Sequence, residues 1–202
     1  MNDKLSTEDV ELILSYDADD VFSPFSEPRK GVDTQLFLGG KGYYLKKLFL
    51  SGFPVPPGFI MTTEVFRCKS VIQKQTDLIS GIEAGIREHV SRLEKMTGRQ
   101  FGNPLNPLLL SVRSGSAISM PGAMNTLLNV GMNDAITETL SKQPNFAWTS
   151  WDCYRRLLQT WGMSFGMDRN VFDKIILDYK RREGVSRKIE FPAAMMRSIA
   201  MD

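Results

Sequence analysis

Two short stretches carry residue types that could handle a phosphate. The first is Gly39-Gly40-Lys41-Gly42, which follows the apolar run Gln35-Leu-Phe-Leu38 and precedes Tyr44, Leu45, Leu48 and Phe49 at helical spacing. Glycines at a helix start let the backbone approach an anion, and the first amides of the helix point at it. Lys41 would add a mobile positive charge. The plainer reading is a glycine turn with a solvated lysine, and the GxxxxGK[ST] spacing of a Walker A loop is absent. The second stretch is Ser111-Val-Arg113-Ser-Gly-Ser116, at the end of the apolar run Leu108-Leu-Leu-Ser-Val112. An arginine leaving a strand for a Ser/Gly loop can grip phosphate oxygens with its planar fork, or pair with a carboxylate. Ser114, Gly115 and Ser116 could add amides and hydroxyls.

Other chemistries find little support. The chain has one histidine, His89, set among charged residues on a long helical pattern, so no Ser/His/Asp or Cys/His set can be drawn. Cys68 and Cys153 are the two cysteines, without CxxC spacing, and read as reduced thiols rather than zinc ligands. Twenty-five Lys and Arg against 23 Asp and Glu leave a net charge of +2, which gives no reason to expect nucleic acid or an anionic membrane as partner. No run approaches the length of a membrane span, and the polar, acidic start lacks a signal-peptide pattern, so a cytoplasmic location is expected. No acidic residue stands in a convincing metal-binding context, so no metal ligand is expected within the chain. The aromatic stripe Trp148, Trp151, Tyr154, Leu157, Leu158 and Trp161 reads as core. Arg155 and Arg156 beside it read as solvated or paired with an acid.

The elements that would position these groups alternate. Residues 6 to 16 suggest a helix capped by Ser6 or Thr7, followed by a loop through Pro24, Pro28 and Gly31. Gln35–Leu38 suggests a strand and a helix opens at about Lys41, ending at Gly52. Phe53-Pro-Val-Pro-Pro-Gly58 cannot be helical. Phe59–Met61 suggests a strand, and Thr62 or Thr63 a helix cap. Residues 77 to 96 carry one apolar stripe, Leu78, Ile79, Ile82, Ile86, Val90 and Leu93, closed by Gly98. Leu108–Val112 has the continuous apolar character of a strand buried on both faces. Residues 113 to 124 read as a loop, Asn125 to Val130 as a strand, and 146 to 166 and 168 to 183 as helices. A further helix begins near the end. This order indicates an α/β or α+β arrangement.

Taken in order, six segments resemble the pyruvate phosphate dikinase family, over about residues 35 to 202. They are Gly39-Gly-Lys-Gly-Tyr-Tyr-Leu45, Gly52-Phe-Pro-Val-Pro-Pro-Gly-Phe59 with Thr62-Thr63, and Leu110-Ser-Val-Arg-Ser-Gly115. Ser119-Met-Pro-Gly-Ala-Met-Asn-Thr126, Leu128-Asn-Val-Gly-Met-Asn-Asp134, and Phe146-Ala-Trp with Tyr154-Arg-Arg complete the set. Phosphoenolpyruvate synthase and the glucan water dikinases share the first and third motifs. The Ser-Met-Pro-Gly stretch favours the pyruvate phosphate dikinase branch.

The resemblance implies an ATP-grasp nucleotide-binding domain, with a mixed sheet flanked by helices. Residues 35–202 would be its N-terminal part, incomplete, behind a helix and loop at 1–34. It implies phosphoryl transfer from ATP to a histidine on a separate domain, and then to pyruvate on a barrel domain. The products would be phosphoenolpyruvate, AMP and diphosphate. It implies magnesium, held by acidic residues outside this chain, and a homo-oligomeric parent. By matching, Lys41 meets the ATP phosphates, with Gly39, Gly40 and Gly42 in the same turn. Arg113 stabilises the transferring phosphate, and Ser114, Gly115, Met120, Gly122 and Thr126 lie along the nucleotide. The chain alone is expected to be inactive. The alternatives are a stand-alone module that binds nucleotide or protein, and a related dikinase with another acceptor.

Overall fold

The computed structural model describes residues 7–115 and 126–202, which form helices and short antiparallel strands in two compact units. One unit runs to Gly98; the other takes in Arg99–Ser114 and the chain from Thr126 to Asp202. Met120 and Gly122 lie outside the described residues.

In the first unit, α1 (Thr7–Leu14) leads through a 3-10 turn to β1 (Phe22–Pro24). Then come α2 (Gln35–Leu50), β2 (Phe59–Met61), α3 (Thr63–Arg67), α4 (Lys69–Ile72) and α5 (Thr76–Thr97). β1 and β2 pair antiparallel, Ser23 opposite Ile60. Thr62 caps α3 as its residue type predicts, its hydroxyl accepting from the Glu64 amide at 3.3 Å. α5 ends on Gly98 in the left-handed conformation (φ 67°), where a Cβ would be strained. Val21, Phe25, Val32, Leu38, Cys68 and Val71 are buried.

His89 is partly buried, at the boundary of this unit. Its ring stacks on Phe22 at 4.7 Å between centroids, lies 5.0 Å from Phe59, and its Nδ1–H donates to the Gly85 carbonyl at 2.9 Å. Gly85 is part of the same contact, because a Cβ there would overlap the Phe22 ring, with Cζ at 2.9 Å.

The second unit holds β3 (Leu110–Arg113), β4 (Thr126–Val130), α6 (Asp134–Ser141), α7 (Ala147–Ser164), α8 (Arg169–Glu183) and α9 (Ala193–Met201). β3 and β4 pair antiparallel, with Leu110 opposite Val130 but Val112 opposite Leu127, so β4 carries one extra residue in that interval. Asn129 has a φ of 60°, the left-handed region that asparagine tolerates at a bulge. Trp151 of α7 packs with Tyr179, Phe191, Met196, Ile199 and Ala200, and Leu157 with Met132 and Ile136. The aromatic stripe of α7 is thus core through Trp151 and Leu157, while Trp161 is half exposed.

Three expectations are corrected. Gln35–Leu38 is the first turn of α2, not a strand, because Thr34 in extended conformation caps it, Oγ1 accepting from the Phe37 amide at 3.3 Å. The helix therefore opens at Gln35 rather than Lys41. Leu108–Val112 is not buried on both faces: Leu108 is buried, but Val112 is 47% exposed, because β3 has β4 as its sole named partner among the described residues. In place of one mixed sheet, the described strands form two separate antiparallel pairs. No helix of the described residues is long and apolar enough to cross a membrane.

Candidate functional site

Gly39 interrupts α2. Its φ of 66° and ψ of 160° fall in a region that is essentially open to glycine alone. The residues before it form one capped turn, and those after it, Gly40 to Leu50, a helical segment with an N-terminus of its own. The first amides of such a segment have no acceptor within it, and the aligned peptide dipoles make that end positive. Gly39 is buried, Gly40 and Gly42 are half-buried, and Lys41 is exposed. Its ammonium forms no ion pair or hydrogen bond with a described residue. Gly42 faces β2: a Cβ there would lie 3.0 Å from Ile60 Cδ1, tighter than most real contacts. The glycine turn predicted from the sequence is present, though it joins two helical pieces rather than a strand and a helix.

The same helix carries a buried lysine that no local sequence motif marks. Lys46 is 2% exposed, and its ammonium donates to Asp33 Oδ1, Ser23 Oγ and the Glu27 carbonyl, each at 2.7 Å. Ser23 donates onward to Asp33 Oδ1 at 2.9 Å, and the Arg29 amide donates to Asp33 Oδ2 at 2.8 Å. Burial pushes the Asp33 carboxyl up. The Arg29 amide, Lys46 and Ser23 outweigh it, holding the group below the usual carboxylate range. The available signal was position: Lys46 lies four residues after Gly42, on the helix face that Gly42 turns to β2.

Arg113 ends β3, exposed, with Thr126 of β4 as its cross-strand partner. Its Nε donates to Ser111 Oγ at 3.3 Å, and no described carboxylate pairs with it. Ser114 and Gly115 follow it in exposed backbone. The structure thus brings Arg113 and Thr126 together, and keeps Gly39 to Gly42 as one contiguous turn.

A further charged cluster belongs to packing. Asp152 of α7, 4% exposed, accepts from Lys188 Nζ at 2.6 Å and from Arg155 and Arg156 at 3.0 Å. Burial alone would raise its pKa, but Lys188 and Arg155 bring it below the usual range. Arg155 and Arg156 have the acidic partner that their positions suggested. A carboxyl with a depressed folded pKa contributes stability that is complete above its unfolded pKa and is lost as pH falls through the folded value. The urea midpoint of the chain should therefore drop as pH falls below the ordinary carboxylate range, and more weakly for Asp152→Asn. Equal acid sensitivity in both proteins would remove Asp152 from that role. On the same helix, Tyr154 donates to Asp134 Oδ1 at 2.7 Å. Burial, then that carboxylate, pushes its hydroxyl up to about 12.

No family model matches the chain. Among curated proteins, it is 42% identical over 157 residues to pyruvate, phosphate dikinase of Rhizobium meliloti, covering 77% of the chain. The protein of that name from Entamoeba histolytica is 39% identical over 164 residues, covering 81%. The chain is a relative of the pyruvate, phosphate dikinases. A chloroplastic dikinase of Mesembryanthemum crystallinum extends the match to 175 residues at 36% identity. The chain spans 17% to 18% of the length of these dikinases.

Proposed function

We propose that the chain is the N-terminal part of an ATP-grasp nucleotide-binding domain in a pyruvate, phosphate dikinase, with residues 1–34 leading into it. The parent would transfer phosphoryl from ATP through a phosphohistidine to pyruvate, yielding phosphoenolpyruvate, AMP and diphosphate. Its phosphohistidine and pyruvate-binding domains would be the partners of this stretch. Lys41 and the amides at Gly39, Gly40 and Gly42 hold the ATP polyphosphate. Arg113 neutralises charge on the phosphoryl group in transfer, while Ser114, Gly115, Met120, Gly122 and Thr126 line the nucleotide.

One observation carries this reading. Within a sequence 42% identical to a dikinase, a glycine-only break opens a helix N-terminus and leaves the adjacent lysine exposed and unpaired among the described residues. Amides and a mobile ammonium at one helix end are the elements of a polyphosphate cradle. The dikinase reading also implies magnesium. Among the described residues no three His, Cys, Asp or Glu side chains gather to hold it. With so small a share of the dikinase length, the chain by itself binds nucleotide weakly and does not turn it over.

Titration calorimetry of the chain with MgATP tests this. Binding in the millimolar range is expected, weakened about tenfold or more by Lys41→Ala, the loss of one charge-assisted contact. Low-micromolar binding would mean a self-sufficient nucleotide module. Affinity unchanged by Lys41→Ala would remove the turn from the site.

A further inference from the structure

We infer that Lys46 is a positioning residue that fixes the glycine break at Gly39 and so sets the orientation in which the following turn receives a polyphosphate; this rests on the phosphate reading of that turn. A lysine ammonium at 2% exposure is costly unless its donors are met, and here all three are. Its acceptors share one feature. Ser23, Glu27 and Asp33 all precede the break, whereas Lys46 follows it.

Asp33 stands next to Thr34, the residue that caps the first turn of α2. It is held in turn by Ser23 of β1 and by the Arg29 amide. The turn before Gly39 is therefore anchored at its start, and the segment after Gly39 is anchored to the same carboxylate through Lys46. Glycine has no Cβ to hold it at one pair of backbone angles, so Gly39 alone is a soft joint. The clamp across it supplies the missing constraint, together with the close packing of Gly42 on Ile60.

A purely structural lysine is the competing explanation. Packing alone would be served by an apolar side chain of similar length, since replacing a buried ion pair with well-packed hydrophobic groups is often neutral or stabilising. What an apolar side chain cannot supply is a tether to three acceptors on the far side of the joint. Neighbouring Lys47 is exposed and serves as the control.

The test compares the 202-residue chain with its Lys46→Met and Lys47→Met variants, using amide hydrogen exchange and titration with inorganic tripolyphosphate. For Lys46→Met, exchange at residues 33 to 42 should rise about tenfold or more while α5 stays protected, and tripolyphosphate affinity should fall about tenfold. Lys47→Met should change neither. A uniform rise across the first unit with unchanged tripolyphosphate affinity would reduce Lys46 to a stabilising contact and overturn the inference. If the unaltered chain binds no tripolyphosphate, the phosphate reading of the turn falls. Localised exchange would then still support Lys46 as the residue that fixes the break. Should Lys46→Met fail to fold, Asp33→Asn loosens the same clamp with less change in shape and must give the same local pattern.

Discussion

Arg113→Ala, made in a complete dikinase that carries this chain, should slow phosphoryl transfer from ATP by roughly a hundredfold or more, the usual cost of removing a charge-neutralising group from such a reaction. The basis is the residue's setting. Arg113 ends a strand and is exposed; among the described residues its Nε donates to Ser111 Oγ and no carboxylate pairs with its guanidinium. An arginine committed to structure is normally paired, as Arg155 is with Asp152. Arg113→Lys should recover little, because a lysine offers a point charge where the planar fork meets two oxygens at once. Single-turnover formation of AMP measures the effect. A rate within about threefold of the unaltered enzyme, well under 1 kcal/mol of barrier, would exclude Arg113 from the chemistry.

The largest expected loss of stability lies elsewhere. Trp151→Ala should cost about 3–5 kcal/mol, the range for truncating a large buried aromatic. Trp151 is 4% exposed and fills the space against Phe191, Met196, Ile199 and Ala200, with Tyr154 edge-on at 6.4 Å and the Arg197 guanidinium 5.4 Å from its ring. Trp161, on the same helix and equally part of the sequence stripe, is 50% exposed. Its alanine variant should cost far less than Trp151→Ala, since truncation there removes less buried surface. Urea unfolding of the two variants makes the comparison. A loss for Trp151→Ala below about 1 kcal/mol would mean that the second unit's core is not built on this residue.

That contrast marks how far the sequence could be read. Periodicity marked the long helices, and it placed α5 and its end at Gly98 because a long stripe and a left-handed glycine are local signals. It could not tell which part of a stripe meets a neighbour. The run Leu108–Val112 failed for a related reason. A continuous apolar stretch looks the same whether a strand has sheet on both sides or one, and β3 has only β4 as a named partner among the described residues. The first turn of α2 resembles a strand in sequence because four residues cannot display a helical period, and the deciding group, the Thr34 hydroxyl, lies just before them. β1 is three residues ending in Pro24, and α6 is eight residues whose start is set by Asn133, so neither announced itself.

The candidate site was legible to the extent that it is local. Gly39, Gly40, Lys41 and Gly42 are contiguous, and their types alone suggested a helix opening with a free cation. The place of Arg113 at a strand end was legible because the apolar run stops there. Lys46 was not, because its burial depends on Ser23, Glu27 and Asp33, which lie 13 to 23 positions earlier in the chain. A side chain with distant partners declares its role only when the chain has folded around it.

The most direct test of the nucleotide reading is a titration of the chain with MgATP, followed residue by residue through its backbone amide chemical shifts. Saturating shifts should appear at Gly39, Gly40, Lys41 and Gly42, at millimolar nucleotide, and Lys41→Ala should diminish them. Shifts that saturate elsewhere in a folded chain, with these four amides unmoved, would contradict the assignment of the glycine turn as the polyphosphate site.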